Sequence, residues 1–451
     1  MSEIRDTIYG FITPSDTELN IINSTLFQRL RKIKQLSLES LVYPGAQHTR
    51  FEHSLGVLYI AKTMAEKLLL VDSDSDKIRI IRFAALLHDV GHGPFSHVSE
   101  DILDKYSAAD ENSANKDKIH EKITVKIIET NKELSKVLGS EERKQIVGLL
   151  NGESSDLSLM REIVSGPIDA DKQDYLLRDS YYCGVKYGVY DFHRLINTLT
   201  HYEEEDDKHI AINYDGVNAL EQFVLAKYYM TTQVYRHKIR LVSDAMIVRD
   251  IELGIEKDGI GCLAELYNYN DSEKYLMNYL SWYDERLICE IIYNQKNGFA
   301  NEIFSRLNER NLFKTVFSLN FKNFPETIPS KVRTLMADIC NKENKGKKIL
   351  LESGIANILG TEPEFTIVYV FKFKSVKKKS GDSEGQIMVI QRDGRPNSFE
   401  QESTVFRAID GDIDDIIFEI YAPMDYSNDL DDKIKKLSKF KRDIVEYLSS
   451  I

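Results

Sequence analysis

Six of the ten histidines in this 451-residue chain stand between positions 48 and 120, interleaved with carboxylates. Imidazole crowded beside carboxylate is the donor set of a metal-assisted hydrolytic site. His48 and His53 come first, followed by the adjacent pair His88-Asp89, then Gly91-His92-Gly93-Pro94 and His97. A His-Asp pair at the end of an otherwise apolar stretch carries a large desolvation cost unless something pairs with it, and a divalent cation does so. Gly91 and Pro94 break the helix there and let His92 and His97 fold back towards the same point. A further carboxylate is needed, and Asp171 in IDADKQDYLLRD is the best candidate. On a helix Asp171, Tyr175 and Asp179 stand at i, i+4 and i+8, so one polar face carries two carboxylates and a phenol.

The elements that must position these groups are legible from apolar spacing. Phe51, Leu55, Leu58, Met64, Ala65 and Leu68 predict an amphipathic helix opened by His53, and a nearly all-apolar helix starts near Lys77 and closes on His88-Asp89. Residues 8–12 read as a β-like piece ended by Pro14, and residues 22–38 as a helix whose Arg29, Arg31, Lys32 and Lys34 would ordinarily be a solvated face. From Asp101 to Gly166 come helical pieces joined by the polar loops AADENSANKDK and NGESSD, with His120 opening the first piece after the insert. HYEEEDDKHIAINYDG reads as a hairpin, and a long helix from near Val217 carries Tyr235-Arg236-His237-Lys238 near its end. After residue 325, FTIVYVFKFK alternates as a strand, IMVIQ returns, and DIIFEIY is a third strand. A helix from about Asn428 follows, apolar at Leu430, Ile434, Leu437, Phe440, Ile444 and Leu448. Lys377, Lys378 and Lys379 read as a solubilising loop tip. The expectation is a mainly α fold, with a helical core over residues 1–324 and a smaller α+β lobe over 325–451.

Composition narrows the function classes. With 42% hydrophobic and 29% charged residues the chain is ordinary globular material, and its 59 basic against 72 acidic residues give a net charge of −13, which argues against a nucleic-acid coat. No run reaches the roughly 18 apolar residues of a membrane span, and the start lacks a signal-peptide pattern, so a cytoplasmic protein is expected. Cys183, Cys262, Cys289 and Cys340 lie far apart without a CxxC and read as reduced thiols.

The pattern His53, His88-Asp89, Asp171 resembles the HD-domain metal-dependent phosphohydrolases. The ordered strings FQRLRKIKQL, PGAQHTRFEHSLGV, LLHDVGHGPFSH, IDADKQDYLLRD, VYRHK and ERNLFK resemble the deoxynucleoside triphosphate triphosphohydrolases of that family over roughly residues 1 to 320. Some members also carry a sterile-alpha-motif module, which no stretch here resembles. The resemblance implies an HD-domain helical core and one divalent metal on His53, His88, Asp89 and Asp171, with magnesium accompanying the nucleotide; iron, manganese, zinc, nickel and magnesium all suit these donors. It also implies catalytic roles for His92, His97 and a pair made by His120 with the carboxylate at position 100. The family has aspartate there and this chain has Glu100, with Asp101 beside it as a substitute. Substrate contacts carried over are Gln35 and Leu36 at the sugar, Arg50, Lys172 and Tyr175 at the phosphates, Asp179 at the 3′-hydroxyl and Tyr235 stacking on the sugar. An activator-nucleotide site would use Asn23, Gln28, Arg31, Lys238, Arg310 and Lys314, and the assembly implied is a homo-oligomer, tetramer foremost.

Three function classes follow. The first is hydrolysis of deoxynucleoside triphosphates to deoxynucleoside and inorganic triphosphate, serving nucleotide-pool control or phage defence. The second is an HD-domain phosphohydrolase of another nucleotide, whether a monophosphate, a cyclic nucleotide or a nucleic-acid end. The third, a non-catalytic nucleotide sensor, sits poorly with a complete metal quartet.

Overall fold

A computed structural model describes residues 2–69, 75–107, 119–152, 158–204, 207–295, 297–340, 344–373, 386–408, 415–425 and 429–451. The fold is mainly α, as expected, with a few small sheets. Five helices carry the site: α1 (Arg50–Leu69), α2 (Asp76–Leu87), α3 (Val98–Tyr106), α4 (Ile119–Thr130) and α5 (Ala170–Cys183). Two of their starts are fixed by local caps. Ser75 accepts from the Ile78 amide to begin α2, and Asp169 accepts from the Lys172 amide to begin α5, each satisfying a donor that the helix itself leaves orphaned. Gly184, with φ of 70°, ends α5 in the left-handed conformation that glycine adopts without penalty. α2 buries Ile78, Ile80, Ile81, Phe83 and the run from Ala84 to Leu87, and packs on α1, against which α5 also lies.

Contacts divide the chain into two units differently from a single cut after residue 324. The first comprises Met1–His237, Gly261–Cys289 and Lys378–Ile409, and the second Lys238–Ile260, Glu290–Lys377 and Asp410–Ile451. The returning strand expected at IMVIQ explains part of this. It does not pair with the 367–373 strand. In a four-stranded sheet ordered β3 (Leu199–Glu204), β4 (Asp207–Asn213), β7 (Met388–Ile390), β8 (Pro396–Ser398), β7 runs parallel to β4 with Ala211 opposite Met388. The hairpin read from residues 201–216 is β3 and β4, antiparallel with Leu199 opposite Ile212.

The N-terminal reading needs two corrections. The β-like piece is a hairpin of β1 (Ile4–Asp6) and β2 (Gly10–Ile12), whose turn is held by the Asp6 carboxylate accepting from the Ile8 and Tyr9 amides at 2.8 and 3.0 Å. The single helix expected over 22–38 is instead a helix Asp16–Ile22, a short helix Thr25–Gln28 and a 3₁₀ turn Arg29–Lys32. Ser24 starts a new helix by accepting from Phe27, and Gln35 donates to the His48 carbonyl at 3.1 Å, which draws the chain out of helix. The long helix from Val217 stops at Tyr229 and passes into a π-helical turn Met230–Tyr235, a form frequent at functional sites.

The second unit holds the antiparallel sheet β5 (Lys314–Asn320), β9 (Asp415–Ala422), β6 (Ile367–Phe373), with β9 central. Phe418 and Ile420 of β9, Val368 of β6 and Val316 of β5 pack with Ile355, Ile444 and Leu448 from the helices Lys345–Leu359 and Leu430–Ser450. This is the α+β lobe of the sequence reading, its last helix opening at Leu430. Lys377, Lys378 and Lys379, the 108–118 loop, most of the NGESSD loop and Asn428 lie outside the described residues. Among the described residues no helix is long and apolar enough to cross a membrane. Ile420 is fully buried at the centre of this sheet, so Ile420→Ala should lower unfolding free energy by about 2–5 kcal/mol in chemical denaturation; a change below 0.5 kcal/mol, roughly the surface-substitution level, would contradict the packing.

Candidate metal centre

Three helices bring four candidate ligands together. His53 lies one turn into α1, His88 and Asp89 follow the last turn of α2, and Asp171 sits in the first turn of α5. His53 Nε2 is 3.0 Å from Asp171 Oδ1 and 3.6 Å from Asp89 Oδ2, while His88 Nε2 is 3.4 Å from Asp89 Oδ1 and 3.7 Å from Asp171 Oδ1. Donors on a shared cation with bonds of about 2.0–2.2 Å stand about 3–3.6 Å apart. The buried His88 Nε2 has no hydrogen-bond partner and the buried His53 Nε2 faces only the carboxylates of Asp171 and Asp89, an arrangement that a cation accepting both lone pairs relieves. Each ring is anchored through its other nitrogen, His53 Nδ1 to Asp174 Oδ2 at 2.8 Å and His88 Nδ1 to the Ala85 carbonyl at 2.7 Å, which fixes the tautomer that leaves Nε2 free to ligate. Burial pushes the His53 pKa down, but hydrogen bonding to Asp171 and Asp174 outweighs it and takes the pKa up to about 10. That shift measures concentrated negative charge, which a divalent cation offsets. The donor set therefore fits such a metal.

Asp174 was missed by sequence reasoning. Its carboxylate takes Arg178 Nε and Nη2 at 2.9 and 3.0 Å and the Tyr9 hydroxyl at 2.8 Å, besides orienting His53; Arg178 Nη1 in turn reaches Asp6 at 2.9 Å. Gly56 makes room for it, since a Cβ there would lie 1.8 Å from Asp174 Oδ1 and 2.4 Å from Arg178 Nη2. The i, i+4 acid–base spacing of Asp174 and Arg178 was the available signal, but it reads equally as a surface pair.

Beside the ligands, Arg50 is buried, donates to Asp89 through Nη1 and to Ser96 Oγ through Nε at 2.8 Å, and leaves Nη2 without a partner. Three imidazoles converge on Glu100 Oε1: His120 Nδ1 at 2.8 Å, His97 Nδ1 at 2.9 Å and His92 Nδ1 at 3.8 Å. The glutamate thus reaches His120 from position 100, and Asp101 is exposed. His92 stacks on His120 with ring centroids 4.0 Å apart and contacts Asp89 Oδ1 through Nε2 at 3.3 Å. Burial first, then the charges of Arg50 and His120, hold the His92 pKa well below its ordinary value, so His92 stays neutral. Burial would raise the Glu100 pKa, but the hydrogen bonds from His120 and His97 hold it down, so it stays a carboxylate. Gly91 permits this approach of α4, because a Cβ there would stand 2.3 Å from the His120 carbonyl oxygen.

A cavity of about 930 Å³ opens over these groups, with Gln35, Arg50, Tyr175, Lys126 and Arg161 in its wall. Deeper on α5, Asp179 is buried, pairs with His48 Nε2 at 2.8 Å and accepts from the Tyr235 hydroxyl at 2.6 Å, while Tyr175 meets Tyr235 edge-on. His48 was not singled out from sequence. Leu36 is buried, and Lys172 Nζ is engaged by Asp169 Oδ2 at 2.6 Å and the Gly166 carbonyl at 2.9 Å. Of the six residues carried over for an activator site, Asn23 is exposed at a helix end, Gln28 Nε2 donates to the Ile22 carbonyl and its Oε1 accepts from Arg31, and Arg31 lies over the Phe51 ring at 3.5 Å. Lys238, at the start of the helix Lys238–Glu256, Arg310, with φ of 56°, and Lys314, at the start of β5, belong to the second unit.

Comparison with known proteins matches residues 50–179 to the HD domain and residues 190–445 to the HD associated region. An uncharacterised protein of Methanocaldococcus jannaschii is 36% identical over 339 residues, 72% of this chain and 67% of its own. The deoxynucleoside triphosphate triphosphohydrolase SAMHD1 of Gallus gallus is 29% identical over 376 residues, covering 75% of this chain but only 58% of that protein. The crystal structure of a phosphohydrolase from Bacteroides thetaiotaomicron superposes with a TM-score of 0.71 at 25% identity, covering 93% of this chain and 99% of that one.

His88→Ala and Asp171→Asn should each remove most bound divalent metal from purified protein, as measured by elemental analysis, and Asp174→Asn should weaken metal affinity about 10–100-fold by freeing the His53 ring. Wild-type metal content in all three variants would overturn the assignment.

Proposed function

As this chain belongs to the HD-domain phosphohydrolases, with an HD domain followed by an HD associated region, we propose that it hydrolyses deoxynucleoside triphosphates to deoxynucleoside and inorganic triphosphate. The observation that carries this reading is the group of Asp179, Tyr235, Tyr175 and Gln35 beside the metal ligands, a set of hydroxyl partners and aromatic faces scaled to a sugar. A divalent cation held by His53, His88, Asp89 and Asp171 supplies Lewis-acid polarisation of a phosphoryl oxygen and acidification of water when bound.

The chain's own groups do the rest. Arg50 offers its unpartnered Nη2 to an α-phosphate oxygen and keeps Asp89 oriented through Nη1. Attack of water on the α-phosphorus breaks its bond to the nucleoside 5′-oxygen, and that oxygen needs a proton as it leaves. His97 is the general acid, 55% exposed along its side chain and hydrogen-bonded through Nδ1 to Glu100. The ionised Glu100 partly offsets the burial that lowers the His97 pKa, and neutral His92 packs between Asp89 and His120. Asp179 accepts the 3′-hydroxyl, with His48 and Tyr235 fixing both its oxygens, while Gln35, Leu36 and Tyr235 close around C2′. Lys172, tied to Asp169 here, turns to the phosphates when the nucleotide enters. Regulatory nucleotide contacts fall to Asn23, Gln28 and Arg31 in the first unit, in a homo-oligomer.

Ion chromatography should then find intact triphosphate as the first phosphorus product, and dATP should be hydrolysed at least about 100-fold more efficiently than ATP. Orthophosphate or pyrophosphate as first product, or equal turnover of ATP and dATP, would favour a different nucleotide substrate.

Regulation follows from one side chain. Where a guanine nucleotide activates, a carboxylate accepts from both N1–H and the N2 amino group, whereas Asn23 has one acceptor oxygen and a donor amide. The mismatch costs about 1–3 kcal/mol, so GTP should not be an obligatory activator, and a deoxynucleotide or none should fill the role. Assays of each deoxynucleotide with and without GTP test this; strict dependence on GTP that Asn23→Ala abolishes is the contrary result.

A further inference from the structure

Asp284 stands far in sequence from the metal ligands, at the start of the short helix Asp284–Cys289, and is only 3% exposed. Its Oδ1 accepts from the Phe95 amide at 2.8 Å and its Oδ2 from the Lys34 amide at 2.9 Å. Those amides belong to two segments that flank the cavity. Phe95 and Ser96 form the turn between His92 and His97, and both hold left-handed backbone, with φ of 60° and 54°, which non-glycine residues adopt only when their surroundings impose it. Lys34 precedes Gln35 and Leu36, and Ser37 just beyond them is also left-handed at 50°. The same two segments are bonded a second time, since Ser96 Oγ donates to the Lys34 carbonyl at 2.6 Å and accepts from Arg50 Nε at 2.8 Å. A closed circuit therefore runs from Asp284 through Lys34, Ser96 and Arg50 to the metal ligand Asp89.

We propose that Asp284 is a positioning residue for the hydrolysis, one carboxylate holding the His92–His97 turn in register with the Gln35 side of the cavity. It deepens the triphosphohydrolase reading and rests on it. A carboxylate is the side chain the geometry calls for, because two amides must be met by two acceptors, and an asparagine would turn its own amide against one of them. Burial raises the Asp284 carboxyl to about 7 even though both amide bonds lower it, so the group sits where a carboxylate is costly in its own right. Released from Asp284, the turn relaxes away from left-handed backbone and carries His97 off line with the leaving oxygen. Arg50 keeps its own bond to Asp89 when that turn moves, and His53 and His88 keep theirs to Asp174 and the Ala85 carbonyl, so the quartet, on α1, α5 and the segment after α2, stays in place.

The test compares a deoxynucleoside triphosphate with bis(p-nitrophenyl) phosphate, whose leaving group departs without a proton and so does not need His97. Asp284→Asn should lower kcat for the deoxynucleotide about 10–100-fold and for the aryl diester less than about threefold, with KM and bound metal within about twofold of wild type. Should the asparagine variant not fold, Asp284→Ser removes the opposed amide and should give the same split between substrates. An equal fall on both substrates, loss of metal, or an unchanged kcat overturns the inference. If the wild-type protein cleaves the aryl diester but no deoxynucleoside triphosphate, the substrate reading fails first and takes this inference with it.

Discussion

Burying a carboxylate without a partner is among the most expensive things a fold can do, and Asp174 is fully buried between an imidazole and a guanidinium. Removing either partner from such a group costs about 3–5 kcal/mol, so His53, Asp174 and Arg178 stand or fall together. Asp6 and Tyr9 extend the same network to the N-terminal hairpin, which couples the first residues of the chain to the orientation of a metal ligand. The candidate metal site rests on this arrangement. His53 Nε2 points at Asp171 and Asp89 because Nδ1 is committed to Asp174.

A second constraint is backbone shape. The apolar helix α2 must stop abruptly for His88 and Asp89 to face the cavity, and the chain must then turn tightly enough to present His92 and His97. Gly91 allows the close approach of α4, and the left-handed pair Phe95-Ser96 completes the reversal. Such a turn does not hold itself. Side chains from three other segments, Arg50, Tyr279 through the Gly91 carbonyl, and Asp284, fix it in place. Stability is given up locally so that three imidazoles can meet one carboxylate.

Both constraints bear on how the chain's charge is used. In a protein with net charge −13 the cavity lining mixes both signs, with Arg50, Lys122, Lys126 and Arg161 beside Asp89, Asp171, Glu121, Glu129 and Asp271. Of these cations only Arg50 is buried, so it acts at a lower effective dielectric than the exposed Arg161.

That His53, His88, Asp89 and Asp171 would lie together was legible because helical period and breaker residues are local properties, readable over a few turns of chain. The β-rich texture near the C-terminus was legible for the same reason, through alternation. What spacing does not contain is direction. Asp174 sits three residues from Asp171 and reads as one more surface acid until α1 is seen to bring Gly56 and His53 against it. His48, Asp284 and the parallel pairing of β7 with β4 depend on contacts between residues more than a hundred positions apart. The break of the expected 22–38 helix comes from a nearer contact, since the Gln35 amide finds its acceptor in His48 rather than four residues back. Residue types and local period determined by themselves which histidines and carboxylates to bring forward as candidate ligands and on which helices they ride. Only the tertiary structure decided which buried carboxylates hold those groups in place, because desolvation makes a distant partner worth more than a near one that water already satisfies.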